Sequence, residues 1–461
     1  MTLRPSGGRA GLLARCSALV CVSLSCLGAL AAGPAPSVEP ARLAEAIAVM
    51  VGAQREAALW PGFAPAEVPL AIFDGERTWV FRHPMALTDY SQGASRTQTR
   101  EGRDPAIIAN SNAELGGVGT ATLLLRGASE TRSVDELAAV AVHEAFHVFQ
   151  RKHHPKWVGN EADLFTYPFD NAALLAMRRD ETYRLRQALD AKTASARDCW
   201  ARAAMSARQK RFSALSAEHA AYEQGTELNE GLATYVQHKV GRNNVALPEE
   251  DFPATQVRQR AYLTGAALAA LLDLRAPDWK RSLDAGDGQR LDGMLTAALG
   301  EGAVCEVKPA LSAKFLADAK VEVAALSLER VARQTRFSEA PGWRVIVIAD
   351  AAPLWPQGFD PLNVELVAAG QLLHSRFVKL GNERGTIEVL DHVSLSDGAG
   401  SHPLFQGVKR LEIAGLEQPS ITTKGAETVL SAQGVQLSLR DAQVSQRGQV
   451  IEVKLAASPT P

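Results

Sequence analysis

The stretch AVAVHEAFHVFQ, residues 139–150, sets His143 and His147 four positions apart, with Glu144 directly after the first histidine. The surroundings read as helix. Ser133 and Glu136, in SVDE, form a capping-box pattern, in which each side chain satisfies a backbone N–H of the first turn. Leu137, Val140, Ala141 and Val148 recur at helical spacing, so one side is predicted to be buried, and Pro155 ends the helix. Side chains at i and i+4 lie on one face a turn apart, so both imidazoles can bind one ion while Glu144 projects beside it. Two histidines satisfied by neighbours in a core helix would give the same letters. A third ligand decides between the readings.

Two places offer one. His153 completes HEAFHVFQRKH, the spacing of metzincins, but those proteins need a glycine midway, where this chain has Gln150. His153 and His154 are therefore expected to be solvated at the helix end. The other place is TELNEGLATYV, residues 226–236. Glu223, Glu227 and Glu230 fall on roughly one helical face, and spacing does not say which of them reaches the ion.

A His-Glu-x-x-His helix followed by Asn-Glu-Gly-Leu-Ala-x-Tyr resembles the gluzincin metallopeptidases, nearer the aminopeptidase branch than thermolysin. The resemblance spans roughly residues 66–300. It implies that His143, His147 and Glu230 hold Zn2+, and that Glu144 is the general base toward a water whose pKa zinc lowers. Gly231 would let two helices approach closely. RAYLTGAALAALLDL, residues 260–274, is similar to the family's Tyr-x-Lys-Gly-Ala helix, which makes Tyr262 the oxyanion donor. Thr264 stands where lysine is usual, and Tyr235 is the weaker alternative. The family's exposed edge strand maps to ELGGVGTATLLLR, residues 114–126. Its Gly-Ala-Met-Glu-Asn stretch is absent, so an endopeptidase-like cleft is as much expected as an exopeptidase. Glu223 and Glu227 are expected to be solvated carboxylates, with acceptance of the histidine N–H groups as the other option. A charged helical insertion near 160–217 separates the ligands, and either covers the cleft or braces it.

The chain has 461 residues, which predicts two folded units. With 46% apolar and 22% charged residues and a formal charge of −2, nothing calls for nucleic acid or anionic membrane as a partner. Arg4, Arg9 and Arg15 precede CSALVCVSLSCLGALAAG, which reads as a secretory signal over residues 1–32 with cleavage near Ala31 or Ala32. Its removal takes three of the 49 bases and no acid, leaving a formal charge of about −5. Cys199 and Cys305 then remain, either as a disulfide in an oxidising compartment or as two thiols. No later segment is long and apolar enough to span a bilayer.

Turn-bounded runs VPLAIF, TWVFR, AIIAN and GTATLLLR between residues 66 and 126 predict short strands, and residues 133 to about 332 are mostly helical. After SEAPGW, alternating runs such as WRVIVIAD and VKRLEIAGL predict a β-rich unit. The expected class is α+β: a mostly helical zincin-like domain over 33–335 with a small N-terminal sheet, then an all-β sandwich or barrel over 340–461. The expected activity is that of an exported, periplasmic or extracellular, zinc peptidase acting on a peptide or protein. The competing readings are a metzincin-like peptidase using His153 and a non-catalytic exported binding protein with a structural metal. A structural zinc is normally closed by four protein ligands, whereas three are evident here.

Overall fold

The computed structural model describes residues 39–52, 59–125, 131–286, 288–361, 363–400 and 402–456. The signal segment read over residues 1–32 lies outside the described residues. Helix α1 (Pro40–Gly52) precedes a sheet of β1 (Leu70–Phe73), β2 (Arg77–Phe81), β3 (Ser91–Gln92), β4 (Thr97–Glu101), β5 (Ser111–Leu115) and β6 (Val118–Leu124). The strand order is β3-β4-β2-β1-β6-β5, with β1 and β6 parallel.

Two strand expectations change. AIIAN is not a strand but the approach to β5, where Asn110 turns its side chain to accept a hydrogen bond from the Leu124 N–H at 2.9 Å. The edge strand is therefore Ser111–Leu115 rather than the glycine-rich run. Gly116 and Gly117, with φ of 54° and 77°, make the left-handed turn that a two-residue hairpin requires, and β6 lies inside the sheet.

Helix α2 (Val134–His153) opens on the capping box: the Ser133 side chain accepts from the Glu136 N–H, and Glu136 accepts from the Ser133 N–H. It packs on β6, on α1 and on the later α7, so its middle is buried on every side. A single aromatic and aliphatic core holds it, with Trp60, Phe63, Phe146 and Trp279 meeting edge to face. There follow α3 (Glu161–Leu164), α4 (Ala172–Asp190), α5 (Ala194–Phe212), α6 (Ala217–Thr226), a π turn (Glu227–Gly231) and α7 (Leu232–Val240). The helical part ends with α8 (Val257–Arg275), α9 (Trp279–Ala285), α10 (Leu291–Leu299) and α11 (Pro309–Ser338). No helix among the described residues is long and apolar enough to cross a membrane.

The charged helical stretch is the hairpin α4–α5, packed against α8, α10 and α11. Cys199 on α5 is bonded to Cys305 before α11, a separation of 106 residues. Closing so long a loop removes entropy from the unfolded chain, an effect of about 2–4 kcal/mol for a typical disulfide. A Cys199→Ser/Cys305→Ser chain is thus expected to lose about that much in urea unfolding, as is reduced wild type. Superimposable curves for oxidised and double-serine protein would count against this role.

The C-terminal part is a sandwich. One sheet runs β18-β19-β7-β14-β13-β10-β9 and the other β15-β16-β17-β12-β11-β8. These are β7 (Trp343–Ile348), β8 (Trp355–Phe359), β9 (Val364–Ala368), β10 (Gln371–His374), β11 (Phe377–Asn382), β12 (Gly385–Leu390), β13 (Ser394–Gly398), β14 (Val408–Leu416), β15 (Ser420–Lys424), β16 (Glu427–Ala432), β17 (Val435–Arg440), β18 (Ala442–Arg447) and β19 (Val450–Leu455). Alternating Val345, Val347, Leu411, Ile413, Ile387 and Val389 fill the space between the sheets. Phe165, just past α3, inserts into this core against Phe359 and Phe405, tying the helical part to the sandwich.

Candidate metal centre

Two helices and one π turn bring the polar groups together. On α2, His143 and His147 point the same way, with their Nε2 atoms 3.1 Å apart. The π turn brings Glu230 to them across 83 residues of sequence: its Oε2 lies 3.1 Å from His147 Nε2 and 3.6 Å from His143 Nε2. Tetrahedral zinc with bonds of about 2.0–2.1 Å sets its donors about 3.3 Å apart, which these three spacings bracket.

The hydrogen bonding says which atoms carry protons. Gln150 donates through Nε2 to the carbonyls of Leu228 and Asn229, each at 2.9 Å. Its Oε1 must therefore face His147 Nδ1, 2.8 Å away, as an acceptor. That places the His147 proton on Nδ1 and leaves an Nε2 lone pair aimed at His143 and at a carboxylate. That lone pair and the Glu230 carboxylate converge on one point, which calls for a proton or a cation between them. The donor set suits a cation.

Glu144, His143 and His147 form a buried group that could hold a metal ion, with ligand atoms all within 4.8 Å of one another. Two carboxylates thus stand near the imidazole pair, and only Glu230 touches it. Burial pushes the Glu144 carboxyl up, the histidines oppose this and the Glu230 charge adds to it. Glu230 is the reverse case. Burial raises its pKa, but the two imidazoles beside its Oε2, with the proton shared at that point, and the charge of Arg258 outweigh that and hold it well below the carboxylate range.

Close helix approach makes this geometry possible. A Cβ on Gly231 would lie 2.6 Å from the Cα of Gly265, and one on Gly265 would lie 2.7 Å from the Glu227 carbonyl oxygen. Only two glycines let α8 cross the π turn at that depth. The crossing delivers Tyr262 and, one turn earlier, Arg258. Arg258 donates to Glu230 Oε1 at 2.9 Å, to the Tyr262 hydroxyl, and to Glu161 Oε1 at 3.0 Å. It thereby occupies one Glu230 oxygen and leaves the other to the histidines. The sequence reading missed Arg258 and Gln150. The first lies at i−4 from Tyr262, which could have found it; the second stands out in the sequence only where metzincins need a glycine.

Other expectations change here. Tyr235 faces away, donating to Asp273 at 2.7 Å. His153 is exposed and stacks on Phe149, outside the site, while His154 is not solvated but pairs with Asp284 at 2.7 Å and stacks on Trp157. Glu223 and Glu227 are both about 1% exposed, and neither accepts from His143 or His147. Glu223 takes Arg211 through both oxygens, at 2.5 and 2.8 Å, and Glu227 takes Arg208 and the Thr264 hydroxyl. Arg208 and Arg211 come from α5, and Glu181 of α4 bridges them at 2.9 and 2.7 Å. The α4–α5 hairpin thus braces α6 and the π turn that carries Glu230.

The site opens into a cleft of about 600 Å³, bounded by Asn110 to Asn112 at the start of the edge strand, by Arg258 and Tyr262, and by Asp360 and Pro361 of the sandwich. A larger cavity of about 990 Å³ lies between α5 and α10 and contains none of these groups. The titratable groups converge on the smaller one. Compared with protein-family models, curated proteins and solved structures, the chain has no match.

Proposed function

We propose that the protein is an exported zinc metallopeptidase of gluzincin type, with His143, His147 and Glu230 as ligands and Glu144 as general base. One observation carries the reading: a carboxylate from a separate helical segment meets the paired imidazoles with zinc-like donor spacings. Zinc bound there would supply Lewis acidity and an acidified water. Glu144, buried beside the pair, takes the proton of the attacking water and passes it to the leaving amine. Tyr262, its hydroxyl held by Arg258, donates to the oxyanion that develops on the peptide carbonyl. The edge strand at the cleft rim favours an extended peptide as substrate. The disulfide and the basic, then apolar, N-terminal sequence favour export.

Two measurements test this: metal content of the purified chain, and hydrolysis of a peptide library before chelation, after it and after zinc is restored. Wild type is expected to carry about one zinc per chain and to lose and regain activity with it. Glu230→Ala, which removes one of three ligands, is expected to weaken zinc affinity by about 10²-fold or more, exceeding the 10–100-fold typical of losing an outer partner. A wild type that neither binds zinc nor cuts peptides would end the proposal. Zinc without hydrolysis would favour the binding protein with a structural metal.

A further inference from the structure

Helix α11 is apolar on two opposite faces, and among the described residues only one is covered. The inner face, with Ala319, Val323, Leu326 and Phe337, packs on α4 and touches β9 and β14. On the opposite side Ala317, Val321, Ala324, Leu328, Val331 and Thr335 follow one another at alternating spacings of four and three, the repeat of a coiled-coil seam. Val321, Leu328 and Val331 are 71%, 74% and 60% exposed. Single exposed aliphatics are ordinary, but an aligned row along about 27 Å of helix marks a contact surface.

We infer that this face pairs with the same face of a second copy, antiparallel, to form a two-fold dimer. The residues complement themselves only in that direction. The register that sets Val321 against the partner's Val331 also sets Ala324 against the partner's Leu328, so that each Leu328 meets a small residue across the seam. Asp318 and Arg336 flank the seam on one side at its two ends. Antiparallel pairing carries Asp318 toward the partner's Arg336, twice by symmetry, whereas a parallel pair would set like charges level with each other. Asp318 is now held by Lys314 at 2.5 Å, an exposed pair that costs little to exchange. A single-helix seam is small, so the association is micromolar and concentration-dependent. The inference is independent of the catalytic reading.

Sedimentation velocity of the full exported chain, from about 1 to 100 μM, tests it. Wild type is expected to move from chain mass to twice chain mass over that range. Val321→Glu/Leu328→Glu is expected to remain a monomer with an unchanged circular dichroism spectrum and melting midpoint, because both side chains are solvated in the single chain. Asp318→Arg is expected to weaken association about tenfold, and Arg336→Asp in the same chain to restore it. Under oxidation, a chain with Ala324→Cys is expected to cross-link to one with Leu328→Cys. A wild type that stays monomeric at 100 μM, or a double glutamate variant that still dimerises, overturns the proposal. Efficient self-cross-linking of Val321→Cys alone overturns the antiparallel register.

Discussion

On the proposed peptidase reading, Glu144→Gln is expected to keep bound zinc and lose about 10²–10⁴-fold in kcat, the range that a positioned general base contributes. Glutamine preserves the volume of a side chain that is only 7% exposed on a helix packed on all sides, so the fold has no reason to move. His143, His147 and Glu230 are within 3.1 to 3.6 Å of one another and do not depend on Glu144 for hydrogen bonds, so metal affinity should change by less than about tenfold. What disappears is the proton acceptor. The check is zinc content beside single-turnover hydrolysis of whichever peptide the library identifies. Residual activity within tenfold of wild type would remove Glu144 from the mechanism. Loss of zinc in step with activity would instead make Glu144 a ligand and Glu230 a bystander, which exchanges the roles of the two carboxylates.

How far the letters reached depends on the range of the interactions involved. The α2 capping box, its end before Pro155 and the convergence of His143 with His147 are local consequences of helical period, and they could be read without a fold. The division into a helical part and a β-rich part was equally legible, because both periodicities are strong. Strands such as SITTK, exposed at all five positions, and WPQGF, with an internal proline and glycine, carry no alternating pattern, and they pair only because neighbours in the sandwich template them. Glu223 and Glu227 failed as solvated carboxylates for a different reason. Their letters are those of a polar helix face, and only α5 and α8, folded back with inward-pointing arginines, make that face the interior. Glu230 lay between the two cases: its helix face was visible, but selecting it over its neighbours took the Asn-Glu-Gly pattern, and touching the histidines took a π turn that no spacing announced.

That buried charge network supplies the second large effect. Arg211 sits about 1% exposed between Glu181 and Glu223, so Arg211→Met keeps the bulk but leaves two interior carboxylates short of a partner. Removing one member of a buried ion pair costs about 3–5 kcal/mol, because the charge left behind is desolvated and unpaired. Arg260 still reaches both carboxylates, and Arg208 still reaches Glu181, so the lower end is expected. The pH dependence separates this cause from lost packing. In wild type, burial raises the Glu223 pKa but Arg211, then Arg260, pull it down to about 2. Its contribution is therefore present above the unfolded value near 4.5 and is lost as pH falls toward 2. In Arg211→Met the same carboxyl is less depressed, so less stability is lost on acidification and the gap between variant and wild type narrows below pH 4.5. Adding Glu223→Gln should recover part of the deficit at neutral pH, as coupled neighbours do. The readout is the urea midpoint of the helical part, followed from pH 7 to pH 3. A deficit below about 1 kcal/mol at neutral pH, or one that widens on acidification, would mean that the arginine bears no such charge load. The segment holding Glu230 would then be fixed by its glycine crossing with α8 and by the bonds that Arg208, Gln150 and Arg258 make to it.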